Sequence, residues 1–221
     1  MSGSVYVDGT RVDKAGTLVR KDSSIEVKQS DLRYVSRGGI KLEAALLGFH
    51  VEVSGKVAID IGSSTGGFTH CLLQHGARIV YAVDVGYGQL DWKLRQDPRV
   101  VVLERINARY LRPEIIGELA DIVTIDVSFI SLSKIIPAVI LLLKPGGTLV
   151  ALIKPQFEVG KSEVGRGGIV KDEYKHKLVI DKNKTFLQEL GFRIVGFIPS
   201  PIFGAEGNKE FLIAGILKGE Q

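Results

Sequence analysis

Val57-Ala58-Ile59-Asp60-Ile61-Gly62-Ser63-Ser64-Thr65-Gly66-Gly67-Phe68 is an apolar, β-branched run that empties into a glycine-rich turn. Its first five residues read as a buried strand, and residues 67–75 read as a helix. A strand that exits through glycines into a helix opens a parallel α/β sheet. Ligands of such sheets sit at the C-terminal ends of the strands.

Outward from this unit the alternation continues. Further strands are expected at 78–83, 100–103, 122–125, 148–153, 193–198 and 211–217. Helical segments fall between most of them, notably at 132–143 and 172–190. Before the first strand, Ile40, Leu42, Ala45, Leu46 and Phe49 share one face of a helix over 39–48. The expectation is an α/β, Rossmann-like domain over 33–221: a mostly parallel seven-stranded sheet with helices on both faces.

Residues 1–32 differ in style. Val5-Tyr6-Val7 and Ile25-Glu26-Val27 read as short strands, and Asp8-Gly9 is a hairpin turn signal. From Val12 the chain leads on to Thr17-Leu18-Val19. Strands this short cannot enclose a core of their own.

Composition narrows the function classes. Hydrophobic residues make up 45% and charged residues 24% of 221, an ordinary globular mix. The single cysteine, Cys71, excludes an internal disulfide and fits a reducing, cytoplasmic setting. The apolar stretch 135–143 contains Pro137 and is too short to span a bilayer, so no stable membrane insertion is expected. A net charge of +4 permits nucleic-acid binding without requiring it.

Several residues point to an adenosine-containing cofactor. Asp60, Gly62, Ser63, Thr65, Gly66, Gly67 and Phe68 form the loop after the first sheet strand, where glycine lets backbone approach a ligand. Ser63 and Ser64 follow Gly62, so the second glycine of a dinucleotide fingerprint is missing, and a pyrophosphate lacks its cradle. Asp84 ends the second strand, where a carboxylate accepts ribose hydroxyls. Asn107, after the third strand, is placed to read an adenine edge. NAD also carries adenosine, but S-adenosylmethionine fits this loop better.

Four polar residues stand at element ends. Lys41 lies in Ser36-Arg37-Gly38-Gly39-Ile40-Lys41-Leu42, and Asp126 in Asp126-Val127-Ser128-Phe129-Ile130-Ser131-Leu132. Lys154 lies in Lys154-Pro155-Gln156-Phe157-Glu158, and Glu210 opens the last strand. These segments resemble the FtsJ-like ribose 2′-O-methyltransferases, and more narrowly their haemolysin-A-like (TlyA) branch. The resemblance implies methyl transfer from S-adenosyl-L-methionine to a ribose 2′-hydroxyl of ribosomal RNA. It implies a catalytic tetrad of Lys41, Asp126, Lys154 and Glu210. Lys154 would be the general base or a charge stabilising the alkoxide, and Asp126 would orient it beside the cofactor. The segment from Val5 to Lys14 is similar to the back half of the S4-like RNA-binding module that precedes this domain in the family. Its two front helices have no counterpart here, and the expectation is that Met1 lies inside a longer parent chain.

Ribosomal RNA or ribosomal subunits are then the expected partners. Contacts are expected from Arg33, Arg37, Lys161 and Arg166, the last two in a long flap over 160–171. Tyr34, Phe129, Phe157 and Phe203 are candidates to stack on a flipped base. His70, Cys71 and His75 lack a fourth ligand, so no metal is assigned. Three other classes stay open on the residues alone: a non-catalytic RNA-binding or assembly factor, a membrane-active haemolysin, and a nicotinamide-dependent dehydrogenase.

Overall fold

The computed structural model describes residues 5–12, 16–27 and 33–219. Among them, strands β1 (Val5–Val7), β2 (Thr10–Arg11) and β3 (Ile25–Val27) form an antiparallel sheet in the order β2-β1-β3. Asp8 and Gly9 turn with φ of 49° and 76°, the geometry a tight hairpin needs. The second strand is thus Thr10–Arg11, while Thr17, Leu18 and Val19 are irregular. Asp13 and Lys14, and residues 28–32 before the expected domain boundary, lie outside the described residues.

The larger sheet contains β4 (Val57–Ile61), β5 (Ile79–Val83), β6 (Val100–Leu103), β7 (Ala120–Ile125), β8 (Leu143–Ile153), β9 (Phe192–Pro199) and β10 (Phe211–Leu217). Its order is β6-β5-β4-β7-β8-β10-β9. β10 alone is reversed, antiparallel to both β8 and β9, as a mostly parallel sheet allows.

Alternation along β4 divides the core between the two faces. Val57, Ile59 and Ile61 pack with Ile136, Val139, Val179 and Leu187. Ala58 points the other way, into a core with Leu42, Leu46 and Leu72 from the helices Gly38–Gly48 and Gly67–Gln74. Both faces are therefore covered, and the functional loops emerge along one edge. On the face of Val57, Ile59 and Ile61, the helix Glu173–Glu189 starts where Asp172 accepts the Tyr174 N–H at 2.9 Å.

One element differs from expectation. Residues 132–143 are not one helix but a 3-10 turn (Leu132–Lys134), a four-residue α-turn (Ile136–Val139) and a second 3-10 turn (Ile140–Leu142). Pro137 supplies no N–H and its ring blocks the preceding turn, so the helix cannot propagate through it. No helix among the described residues is long and apolar enough to cross a membrane.

Candidate active site

The cofactor loop takes its shape from one close approach. β4 ends at Ile61, and Gly62 follows with φ of 82°. A Cβ on Gly62 would overlap the carbonyl oxygen of Asp126, because the end of β7 passes against it. The Gly62 and Ser63 N–H groups donate to the Val83 carbonyl at 2.8 and 3.1 Å, holding the loop over the end of β5. There Asp84 accepts the Ser64 N–H on one carboxylate oxygen (2.8 Å) and the Gly86 N–H on the other (2.7 Å). Each oxygen keeps a lone pair for a ligand hydroxyl. Ser64 thereby joins the site, a residue the sequence motif contained without marking.

Two cavities meet at this loop. The first, of about 420 Å³, is lined by the loop residues Gly62, Ser63, Thr65, Gly67 and Phe68 and by Lys41, Asp126, Lys154 and Glu210. The second, of about 510 Å³, is lined by Asp84, Asn107 and Asp126 among others. Gly62, Ser64, Asp126, Ser128 and Phe129 line both. The geometry suits a nucleoside on the Asp84 side and a reacting group on the lysine side.

The four element-end residues form two ion pairs. Lys41 Nζ lies 2.6 Å from Glu210 Oε2, with both residues buried. Lys154 Nζ lies 2.6 Å from Asp126 Oδ1 and donates to Ser128 Oγ at 2.9 Å. Gly204 stands against this machinery: a Cβ there would sit 2.5 Å from Glu210 Oε1. Ser128 and Gln156 line the first cavity without having been singled out in the sequence, since small polar residues inside a motif give no pattern.

Other expected site residues have different places. Asp60 lines neither cavity. It is fully buried and accepts from Thr69 Oγ1 (2.7 Å) and Thr124 Oγ1 (3.1 Å), so it ties β4 to the following helix and to β7. Burial pushes its carboxyl up to about 7, the threonine hydroxyls opposing. Gly66 likewise faces away from the cavities, its missing side chain leaving room for Leu90 and Leu94. Asn107 does line the second cavity, but its Oδ1 accepts the Arg109 N–H at 3.1 Å.

Of the expected RNA contacts, Arg37 lines the first cavity, whereas Arg33 turns to Glu43 in an ion pair. Arg166 is exposed on the flap, in a shallow hollow with Lys171 and Lys175; the Lys161 side chain lies outside the described atoms. Tyr34 is buried edge-on against His70 (5.7 Å) and cannot receive a base. Phe129 and Phe157 line the first cavity, while Phe203 is exposed outside it. Cys71 is buried and its thiol pushed up to about 12, chiefly by desolvation; His75 Nδ1 lies 2.8 Å from the Cys71 carbonyl oxygen.

A seven-stranded sheet with one reversed strand, its glycine loop and the carboxylate after its second strand define the S-adenosylmethionine-dependent methyltransferase fold. The FtsJ-like methyltransferase profile matches residues 34–216, and the chain belongs to that family. It is 46% identical to the 16S/23S rRNA (cytidine-2′-O)-methyltransferase TlyA of Mycobacterium tuberculosis, over 96% of this chain and 80% of that one. Hemolysin A of Brachyspira hyodysenteriae is 43% identical over 96% of this chain and 88% of its own. A solved structure from Streptococcus thermophilus that carries the hemolysin name superposes with a TM-score of 0.85. It is 46% identical and covers 100% of this chain and 81% of its own.

Proposed function

We propose that this chain transfers the methyl group of S-adenosylmethionine to a ribose 2′-hydroxyl of ribosomal RNA, in the cytoplasm. The observation that carries the reading is the convergence of Lys41, Asp126, Lys154 and Glu210 on one cavity that adjoins the Asp84 cavity. The relative from M. tuberculosis is named for cytidine in 16S and 23S rRNA, and we take a cytidine as the target here.

When bound, S-adenosylmethionine supplies a methyl group already activated on a sulfonium. The protein's task is then to position a hydroxyl and remove its proton. Asp84 would hold the ribose hydroxyls of the cofactor, and Gly62 lets the loop close against the end of β7 beside it. The Lys154–Asp126 pair receives the proton of the target hydroxyl, and the lysine stabilises the oxygen as charge develops. Lys41, held by Glu210, fixes the target ribose. Phe129, 89% exposed at the cavity mouth, stacks on the flipped base. Arg37 and the flap around Arg166 meet the RNA backbone, and the small N-terminal sheet acts as part of an S4-like RNA-binding module.

Transfer of labelled methyl from S-adenosylmethionine to isolated ribosomal subunits, followed by mapping, tests the reading. Lys154→Ala is expected to abolish transfer and leave cofactor affinity near that of the native chain. Cofactor binding without transfer to any ribosomal RNA would favour the assembly-factor reading instead.

A further inference from the structure

Beside the catalytic cavity lies a third hollow, of about 660 Å³, within the range of roughly 300–1,000 Å³ usual for ligand sites. Gln156, Phe129 and Phe157 line both it and the catalytic cavity, so the two are continuous. Its remaining walls include Arg109, Lys134, Val159 and Val164. Its charged lining is cationic only, from Arg109 and Lys134, both exposed. Among the described residues neither has an ion-pair partner; Arg109 instead reaches Asn107 Oδ1 at 3.4 Å.

The floor is aromatic. The Phe129 and Phe157 rings lie 5.1 Å apart, tilted by 48°. Phe129 is exposed and has a φ of 66°, a backbone conformation a bulky residue rarely adopts. Arg109 also lies over the Tyr110 ring at 5.4 Å. Two cations without a carboxylate partner, in one hollow with two aromatic rings, match a nucleotide: the rings take a flat base and the cations a phosphate. An acidic peptide would satisfy the cations and leave the rings uncovered.

We infer that this hollow seats the nucleotide next to the methylated one, its base against Phe157 and its phosphate between Arg109 and Lys134. The inference rests on the RNA methyltransferase reading. Once a target ribose enters the tetrad cavity, the strand must leave it along some wall. The shared wall of Phe129, Gln156 and Phe157 leads here.

The test uses the full chain and intact ribosomal subunits. Lys134→Ala is expected to raise KM for subunits about tenfold, with kcat and cofactor affinity unchanged. The slope of log KM against log salt should fall by about one, as for one lost phosphate contact. Lys134→Arg should stay near the native KM. With Lys134→p-benzoylphenylalanine, photo-cross-linking should land on the nucleotide adjoining the mapped methylation site. An unchanged KM and salt slope, or cross-links to a distant nucleotide or to ribosomal protein while methylation persists, would overturn the subsite. Absence of methylation by the native chain on all ribosomal RNA would bring down the parent reading instead.

Discussion

Glu158 and Leu132 join two loops of the active site: the Leu132 N–H donates to Glu158 Oε1 at 2.8 Å. The other carboxylate oxygen accepts the Ser131 hydroxyl at 2.7 Å. The buried Glu158 thus ties the loop after β7, which carries Ser128 and Phe129, to the turn after β8, which follows Lys154. Glu158→Ala leaves a buried N–H unpaired and should cost about 2 kcal/mol in denaturant unfolding. The larger effect should be on chemistry. Once Ser128 can drift from Lys154, single-turnover methyl transfer is expected to fall by about a hundredfold, with cofactor affinity little changed. Equal losses in affinity and rate would show that the clamp merely supports the fold.

The Lys41–Glu210 pair makes a separable prediction. Glu210 is 3% exposed and Lys41 is 8% exposed, so removing either partner strands a buried charge. Glu210→Ala should destabilise the chain by roughly 3–5 kcal/mol. Combining Lys41→Met with Glu210→Met removes both charges and should recover most of that stability without recovering methyl transfer. Recovery of activity in the double variant would remove both residues from the catalytic machinery.

Much of this was legible in the sequence, for identifiable reasons. Val57–Ile61, Val100–Leu103 and Phe211–Leu217 are expected and found with the same limits, because short β-branched apolar runs bounded by turn residues favour buried strands. Lys41, Asp126, Lys154 and Glu210 stand out as charges near element ends and are grouped by the family resemblance, and the fold brings all four to one cavity. Asp60 and Gly66 were read as ligand contacts because they sit in the loop motif. Proximity in sequence does not report direction: Asp60 shares its strand face with Ala58 and therefore points under the helices. Tyr34 was named as a stacking candidate for its ring alone, but the ring is buried edge-on against His70 with Arg33 over it at 5.5 Å, which no local pattern reports. Lys134 and Arg109 were passed over for a related reason. They are 25 residues apart in different 3-10 turns, and only the fold brings them to one hollow.

Asp60 also sets a pH dependence. Its carboxyl is raised by burial from 3.8 to about 7 in the folded chain. The unfolded chain releases this proton at lower pH than the folded chain does. Asp60 therefore contributes stability that is full below about pH 4 and is lost as pH rises to about 7. The difference is on the order of a few kcal/mol. Asp60→Asn keeps an amide between Thr69 and Thr124 but cannot ionise. Its stability relative to the native chain should rise between pH 5 and pH 8, measured by urea midpoints at each pH. A constant difference across that window would mean that Asp60 is ionised throughout.

Gly62 and Gly55 together separate two costs of replacing a glycine. Both have positive φ, 82° and 72° respectively, so alanine at either incurs roughly 1 kcal/mol of backbone strain. Around Gly55 nothing lies within 4 Å of the added carbon, so Gly55→Ala should show that strain alone and retain full methyl transfer. At Gly62 the added carbon overlaps the Asp126 carbonyl and would meet Val127 Cγ1 at 3.2 Å. The end of β7 must then move, and it carries Asp126, which pairs with Lys154 and lines both cavities. Gly62→Ala is accordingly expected to abolish the thermal stabilisation that S-adenosylmethionine confers and to stop methyl transfer. If its cofactor-induced shift in Tm matched that of Gly55→Ala, the contact between the Gly62 turn and the end of β7 would have no part in holding the cofactor.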